Sequence, residues 1–353
     1  MKFSGALKTL ILLLSLGSII RLCSFPCIDS NLHKEKNVLQ SKFGQGQSDI
    51  KPVLQTITKK NNAVVWNTCT GISTHCSLNA AYAYIFYVSN IAGNVISTSA
   101  RSFDLNINSS VSPSSYFEYA KRAIKRTASL TEFPVLVLCT VQSFQECSEI
   151  HDSLSAFSEQ IKLIQVDENI WLKPFEEYNV KQKRPKLMHA YGTTQVFNPE
   201  YVSGYKRLIF MDLDTFLIRN VDELFCTEGF AAAKRQSVPL FNGGVFVYSP
   251  SKYNYGLIMH YMIEYMRKPG EKKFAMQAIL HEIFGKKFFC IHPVYNCGGF
   301  CGETEKCSKI SPKCDIADEG ELFVKGAVIH SKIGEPHLRK TFPTLYKLWL
   351  SYG

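Results

Sequence analysis

Two aspartates, Asp212 and Asp214, stand two residues apart where the apolar run Arg207-Leu208-Ile209-Phe210-Met211 stops and a second, Thr215-Phe216-Leu217-Ile218, begins. In extended backbone, side chains two apart share a face, so both carboxylates can reach one divalent cation through oxygen. Without that counter-charge, two adjacent anions at a buried strand end would repel each other and lose hydration at high cost. The bland alternative is a solvated turn: at this aspartate content, chance alone gives roughly 0.3 such pairs. Position favours chemistry, because open parallel sheets bind ligands beyond the carboxyl ends of their strands.

Upstream elements set the frame for such a site. Ala81–Val88 is an aromatic and β-branched run that predicts a buried strand. After Ser114, Phe117, Ala120, Ile124 and Ala128 recur at spacings of three and four, predicting an amphipathic helix. Pro134–Cys139 predicts a second strand, residues 144–158 a helix, and Ile161–Val166 a third strand. This alternation predicts an α/β fold, a mostly parallel sheet with helices on both faces. Asn220 and Glu223 have the spacing of a capping box opening a short helix. Phe323–Ile329 predicts a strand that ends at His330.

Three blocks in order carry a resemblance. Lys186-Leu187, then Phe210-Met211-Asp212-Leu213-Asp214-Thr215, then Asn220-Val221-Asp222-Glu223-Leu224-Phe225, are similar to glycosyltransferase family 8. Phe241-Asn242-Gly243-Gly244 resembles that family's strand beside the donor sugar, and His330 followed by Gly334 resembles its His-x-x-Gly signature with one more residue between the two. The resemblance implies a GT-A-like fold, a UDP-sugar donor and transfer with retention of configuration. It also implies Mn²⁺, with Mg²⁺ as the alternative, held by Asp212, Asp214 and His330. Two carboxylates and an imidazole suit either ion, although a lone His at a strand end is ordinarily just a partly exposed residue.

The same resemblance assigns donor contacts to Ser89, Asn90, Lys186, Leu213, Asn242, Gly243 and Gly244, and catalytic positions to Asn242 and Gln277. Each has a plainer reading. Ser89-Asn90 serves equally as a polar strand exit, Lys181–Lys186 as a solvated basic face, and the glycine pair as a bulge or turn. Two departures stand out. Met276 occupies the position where the family carries an aspartate before Gln277, and Gly334-Glu335-Pro336-His337 lacks the family's phosphate-binding lysine, for which Lys332 or Arg339 would substitute. These departures favour a specialised or degenerate transferase, or a non-catalytic sugar-binding descendant.

Composition closes off other classes. At 46% hydrophobic and 20% charged, the 353 residues can bury a large core, which excludes a disordered chain. The net charge of +10 favours phosphate-bearing or acidic partners. Lys2 and Lys8 precede the uncharged run Thr9–Ile20, closed by Arg21: residues 1–25 read as a signal peptide or signal anchor. A polar stem over 26–78 and one domain over 79–353 follow. Secretory-pathway residence, in the Golgi or ER lumen or as a secreted protein, is the expectation, with membrane contact only through the leader and no nucleic-acid partner. Asn108-Ser109-Ser110 is a glycosylation triplet. Ten cysteines from Cys69 onward allow disulfides, and the cluster at 290–315 reads as a stapled insertion in preference to a zinc site. A carbohydrate, lipid or protein acceptor remains open, as does a purely structural disulfide-rich protein.

Overall fold

The computed structural model describes residues 72, 78, 81–91, 94–95, 113–177, 191–235, 240–267, 276–285, 287–298, 314, 316, 318–331 and 336–353. The leader, nearly all of the stem, Asn108, Lys186, Lys332, Gly334, Glu335 and residues 299–313 of the insertion lie outside these. No helix among the described residues is long and apolar enough to cross a membrane.

In chain order the strands are β1 (Tyr82–Val88), β2 (Asn90–Ile91), β3 (Asn94–Val95), β4 (Val135–Thr140), β5 (Ile161–Val166) and β6 (Arg207–Met211). They continue with β7 (Thr215–Leu217), β8 (Ala231–Lys234), β9 (Phe241–Tyr248), β10 (Phe289–Ile291) and β11 (Val328–His330). The helices are α1 (Pro113–Leu130), α2 (Phe144–Ser153), α3 (Asn169–Glu177), α4 (Pro199–Val202) and α5 (Lys252–Arg267). After them come α6 (Met276–Phe284), α7 (Glu319–Lys325), α8 (Pro336–Thr341) and α9 (Pro343–Leu350).

Seven strands form one sheet in the order β10-β8-β9-β6-β1-β4-β5. Strand β1 runs parallel to β4 and β6, and β4 parallel to β5, while β9 is antiparallel to both β6 and β8. Every residue of β1 is buried, and its alternation explains why the sequence there is continuously apolar. Tyr82, Tyr84, Phe86 and Val88 pack with Ala120, Ile124 and Ile150 of α1 and α2. Ala83, Ile85 and Tyr87 pack on the other face with Ile258, Met262 and Ile279 of α5 and α6. A strand covered on both faces cannot carry polar positions.

A two-stranded ribbon, β7 with β11, stands apart from the main sheet. A third core of Phe216, Ile329, Leu338, Leu345 and Trp349 packs it against the C-terminal helices. Arg126 of α1 is buried there, donating to the carbonyls of Leu217 (2.8 Å) and Ile218 (2.7 Å).

Several local expectations change. The helix expected over 144–158 ends at Ser153, and a 3-10 turn, Ser155–Phe157, follows. Phe323 is helical, because the Asp318 carboxylate caps α7 by accepting from Glu321 N–H, and the strand begins only at Val328. The capping-box geometry is replaced as well: Asn220 Oδ1 accepts from Asp222 N–H, and Glu223 pairs with Arg219 at the mouth of a 3-10 helix, Asp222–Cys226. Asp222 accepts from the Tyr84 and Thr131 hydroxyls, each at 2.7 Å, while burial pushes its carboxyl up from the ordinary range.

Disulfides join Cys139 to Cys147 and Cys297 to Cys314, and Cys226 and Cys290 are also disulfide-bonded. The bond between Cys297 and Cys314 removes both sulfurs from any zinc site.

Met276 is only 4% exposed, in the same core cluster as Ile279 and Leu280. An acid at this position would enter the core. Met276→Asp should therefore cost about 3 kcal/mol or more of unfolding free energy in urea without raising turnover of any donor. A rate gain at unchanged stability would refute the placement.

Candidate metal centre

The chain leaves β6 at Met211 and turns at once. Asp212 N–H donates to Gly244 O (2.8 Å), and Asp212 O accepts from both the amide (3.1 Å) and the hydroxyl (2.6 Å) of Thr215. The shared face of Asp212 and Asp214 therefore comes from this tight turn and not from strand alternation, as extended backbone would have implied. Both carboxylates are nearly buried, at 4% and 6% exposure. Ribbon register then delivers the third group: His330 pairs with Thr215 across β11 and β7, and Ser331 N–H donates to Asp214 O (3.0 Å).

His330 Nε2 lies 3.3 Å from Asp214 Oδ1 and 3.6 Å from Asp212 Oδ2. One ligand atom from each of the three residues falls within 4.8 Å of the others. Donors at right angles around a small divalent ion are roughly 3 Å apart, given metal–oxygen distances near 2.1 Å. The set is oxygen-rich with a single imidazole, and so fits Mn²⁺ or Mg²⁺ better than a thiolate-seeking ion.

Strand β9 forms the wall behind His330. A Cβ built on Gly244 would sit 1.9 Å from His330 Cε1, so the ring occupies the space a side chain would need. Gly243 differs: its Cβ would meet Gln277 at 3.4 Å, an ordinary contact. Gly243 N–H donates to Gln277 Oε1 (2.9 Å), which fixes the start of α6 against the site. Asn242 Oδ1 accepts from Gly244 N–H (2.8 Å) and from Asn296 Nδ2 (3.0 Å).

Asn296, fully buried, was missed in the sequence reading; its oxygen lies 2.8 Å from His330 Nδ1. Like Asn242 after Phe241, Asn296 is an amide side chain that follows an apolar run, Val294-Tyr295, and that pattern is the signal that could have found it.

Among the other expected contacts, the Leu213 side chain lies in the core cluster with Met211 and Leu217. Ser89 is buried at the carboxyl end of β1, and Asn90 opens β2, so both lie toward the edge where parallel β6 also ends. Lys186, Lys332 and Gly334 lie outside the described residues.

The contrast between the glycines is testable by Mn²⁺ titration with electron paramagnetic resonance. Gly244→Ala should weaken Mn²⁺ binding at least about tenfold by displacing His330, whereas Gly243→Ala should leave it within about threefold. Equal effects would remove the steric role assigned to Gly244.

The family model described as Glycosyl transferase family 8 matches residues 75–314, more than half of the chain. Human glycogenin-1 is 38% identical over 85 residues, 22% of this chain and 22% of its own. Glycogenin-1 of Caenorhabditis elegans is 35% identical over 84 residues, 24% of this chain and 19% of its own. The chain thus spans about a fifth of the length of the curated relatives it matches. A crystal structure of the galactosyltransferase LgtC, in complex with donor and acceptor sugar analogs, aligns with a TM-score of 0.47 and 15% identity over 72% of this chain and 87% of that one. The glycosyltransferase GlyE of Streptococcus pneumoniae aligns with a TM-score of 0.47 and 16% identity, over 76% of this chain and 60% of that one. With the two acids inside the matched segment and a histidine just beyond it meeting them at the sheet edge, the chain belongs to glycosyltransferase family 8.

Proposed function

We propose that this protein transfers a sugar from a UDP-sugar donor to a carbohydrate, lipid or protein acceptor, with Mn²⁺ or Mg²⁺ held by Asp212, Asp214 and His330. The observation that carries this reading is the convergence of those three side chains at the carboxyl edge of the sheet, the two aspartates within the family-matched segment and His330 just beyond it. A cation bound there would act as a Lewis acid that neutralises the departing diphosphate. The chain's own residues supply position and hydrogen bonds. Gln277 has committed its carboxamide oxygen to Gly243 N–H, and Asn242 has committed its oxygen to two donors. Each keeps an NH₂ group, so the role open to both is donation to sugar or phosphate oxygens, and neither can serve as a base.

No carboxylate at 276 faces the donor, and Glu282 is engaged by the Tyr265 hydroxyl (3.0 Å). The acceptor proton then leaves with the departing phosphate, consistent with retention of configuration. The departures from the family pattern at Met276 and Glu335 also favour a second reading, a descendant that binds nucleotide-sugars without turning them over.

A screen of UDP-sugars for Mn²⁺-dependent hydrolysis separates the two. Turnover in the wild type, reduced on the order of 10²–10³-fold in Asp214→Asn with its melting temperature retained, is the expected result. Mn²⁺-dependent nucleotide binding without hydrolysis would establish the second reading, and absence of both would overturn the metal site.

We also propose residence in the secretory pathway, supported by the apolar leader and by the disulfides. The protein purified from its native compartment should migrate faster on a non-reducing gel than on a reducing one; identical migration would contradict this.

A further inference from the structure

We propose that Asn296 is a positioning residue that selects the metal-facing tautomer of His330, through a relay that starts at the backbone amide of Gly244. The inference rests on the metal site of the proposed function, but its first test does not need the metal.

The relay can be followed atom by atom. Gly244 N–H is a donor whose identity the backbone fixes, and it lies 2.8 Å from Asn242 Oδ1. That atom is therefore the amide oxygen. The Asn296 atom 3.0 Å from the same oxygen has to be its NH₂, because two oxygens at that distance would repel. Asn296 then turns its own oxygen toward His330 Nδ1, at 2.8 Å. An amide oxygen only accepts, so Nδ1 carries the proton and the neutral ring presents the Nε2 lone pair to the carboxylate pair. The orientation is set by backbone chemistry at Gly244, two residues from Asn242 and across the sheet edge from His330.

The ring and the relay are also bolted together. His330 N–H donates to Cys297 O (2.9 Å), and Cys297 N–H donates to Val328 O (2.8 Å). Asn296 thus sits immediately before a residue that pairs with β11, and Cys297 is tied to Cys314. Its amide, fully buried, has no freedom to exchange its two ends. Groups that orient a ligating histidine in this way typically contribute 10–100-fold in metal affinity.

Two measurements test the proposal on the full chain. In metal-free protein labelled with ¹⁵N-histidine, at a pH where the ring is neutral, long-range ¹H–¹⁵N spectra should show His330 protonated at Nδ1, with its signals assigned by their loss in His330→Gln. A Nε2-protonated ring would overturn the relay whether or not the protein binds metal. Mn²⁺ titration by electron paramagnetic resonance should then show Asn296→Leu weakened 10–100-fold. Asn296→Asp keeps an acceptor at Nδ1, and its affinity should be at least tenfold tighter than that of Asn296→Leu. Wild-type affinity in Asn296→Leu, or equal loss in both variants, would remove the positioning role. If the wild type itself does not bind Mn²⁺, the metal reading fails, and the tautomer measurement still decides the relay.

Discussion

Two carboxylates nearly removed from water, one turn apart, form the electrostatic problem around which this sheet edge is built. Charges of like sign at such a distance are tolerated only where an opposite charge or strong donors compensate them. The proposed cation would supply that charge; the fold brings His330 alongside as its third ligand and holds it there from two directions. The backbone of Cys297 fixes where the residue sits, and the Asn296 amide fixes how its ring faces. Asp212 is itself anchored by its amide to Gly244 O, so the same glycine sets the depth of both partners.

The segment Asn242-Gly243-Gly244 concentrates these demands on one strand. Its side chain and both amides are all engaged, with Gln277, with Asn296 and within the segment itself. This is why the strand interrupts an apolar sequence there despite the poor strand propensity of asparagine and glycine. The antiparallel setting of β9 beside β6 is equally necessary, because it lets Gly244 face the point where β6 ends.

The acid pair was legible in the sequence because its two members are neighbours in the chain, and an apolar strand before them marks a sheet edge. The parallel strands were legible for a similar reason, since burial on both faces leaves uninterrupted apolar runs such as Tyr82–Val88. His330 needed more than periodicity: its approach depends on ribbon register with Thr215, which no local pattern encodes. Asn296 was missed because its partners are more than thirty residues away in sequence. Met276 had two readings: the motif put it where the family has an active-site acid, and its spacing with Ile279 and Leu280 put it on the buried face of α6, where the structure has it. Phe323 likewise looked like strand, but Asp318 as an N-cap outweighed its β propensity.

The bond between Cys297 and Cys314 closes a loop of sequence separation 17 directly beside the residue that pairs with β11. Chain entering and leaving at one covalent point cannot transmit changes in its own length to its ends. For a flexible loop, doubling the number of residues adds only about 0.6 kcal/mol of closure free energy. Changes in the number of residues between these cysteines therefore cost little in closure, while Asn296 and His330 keep their positions.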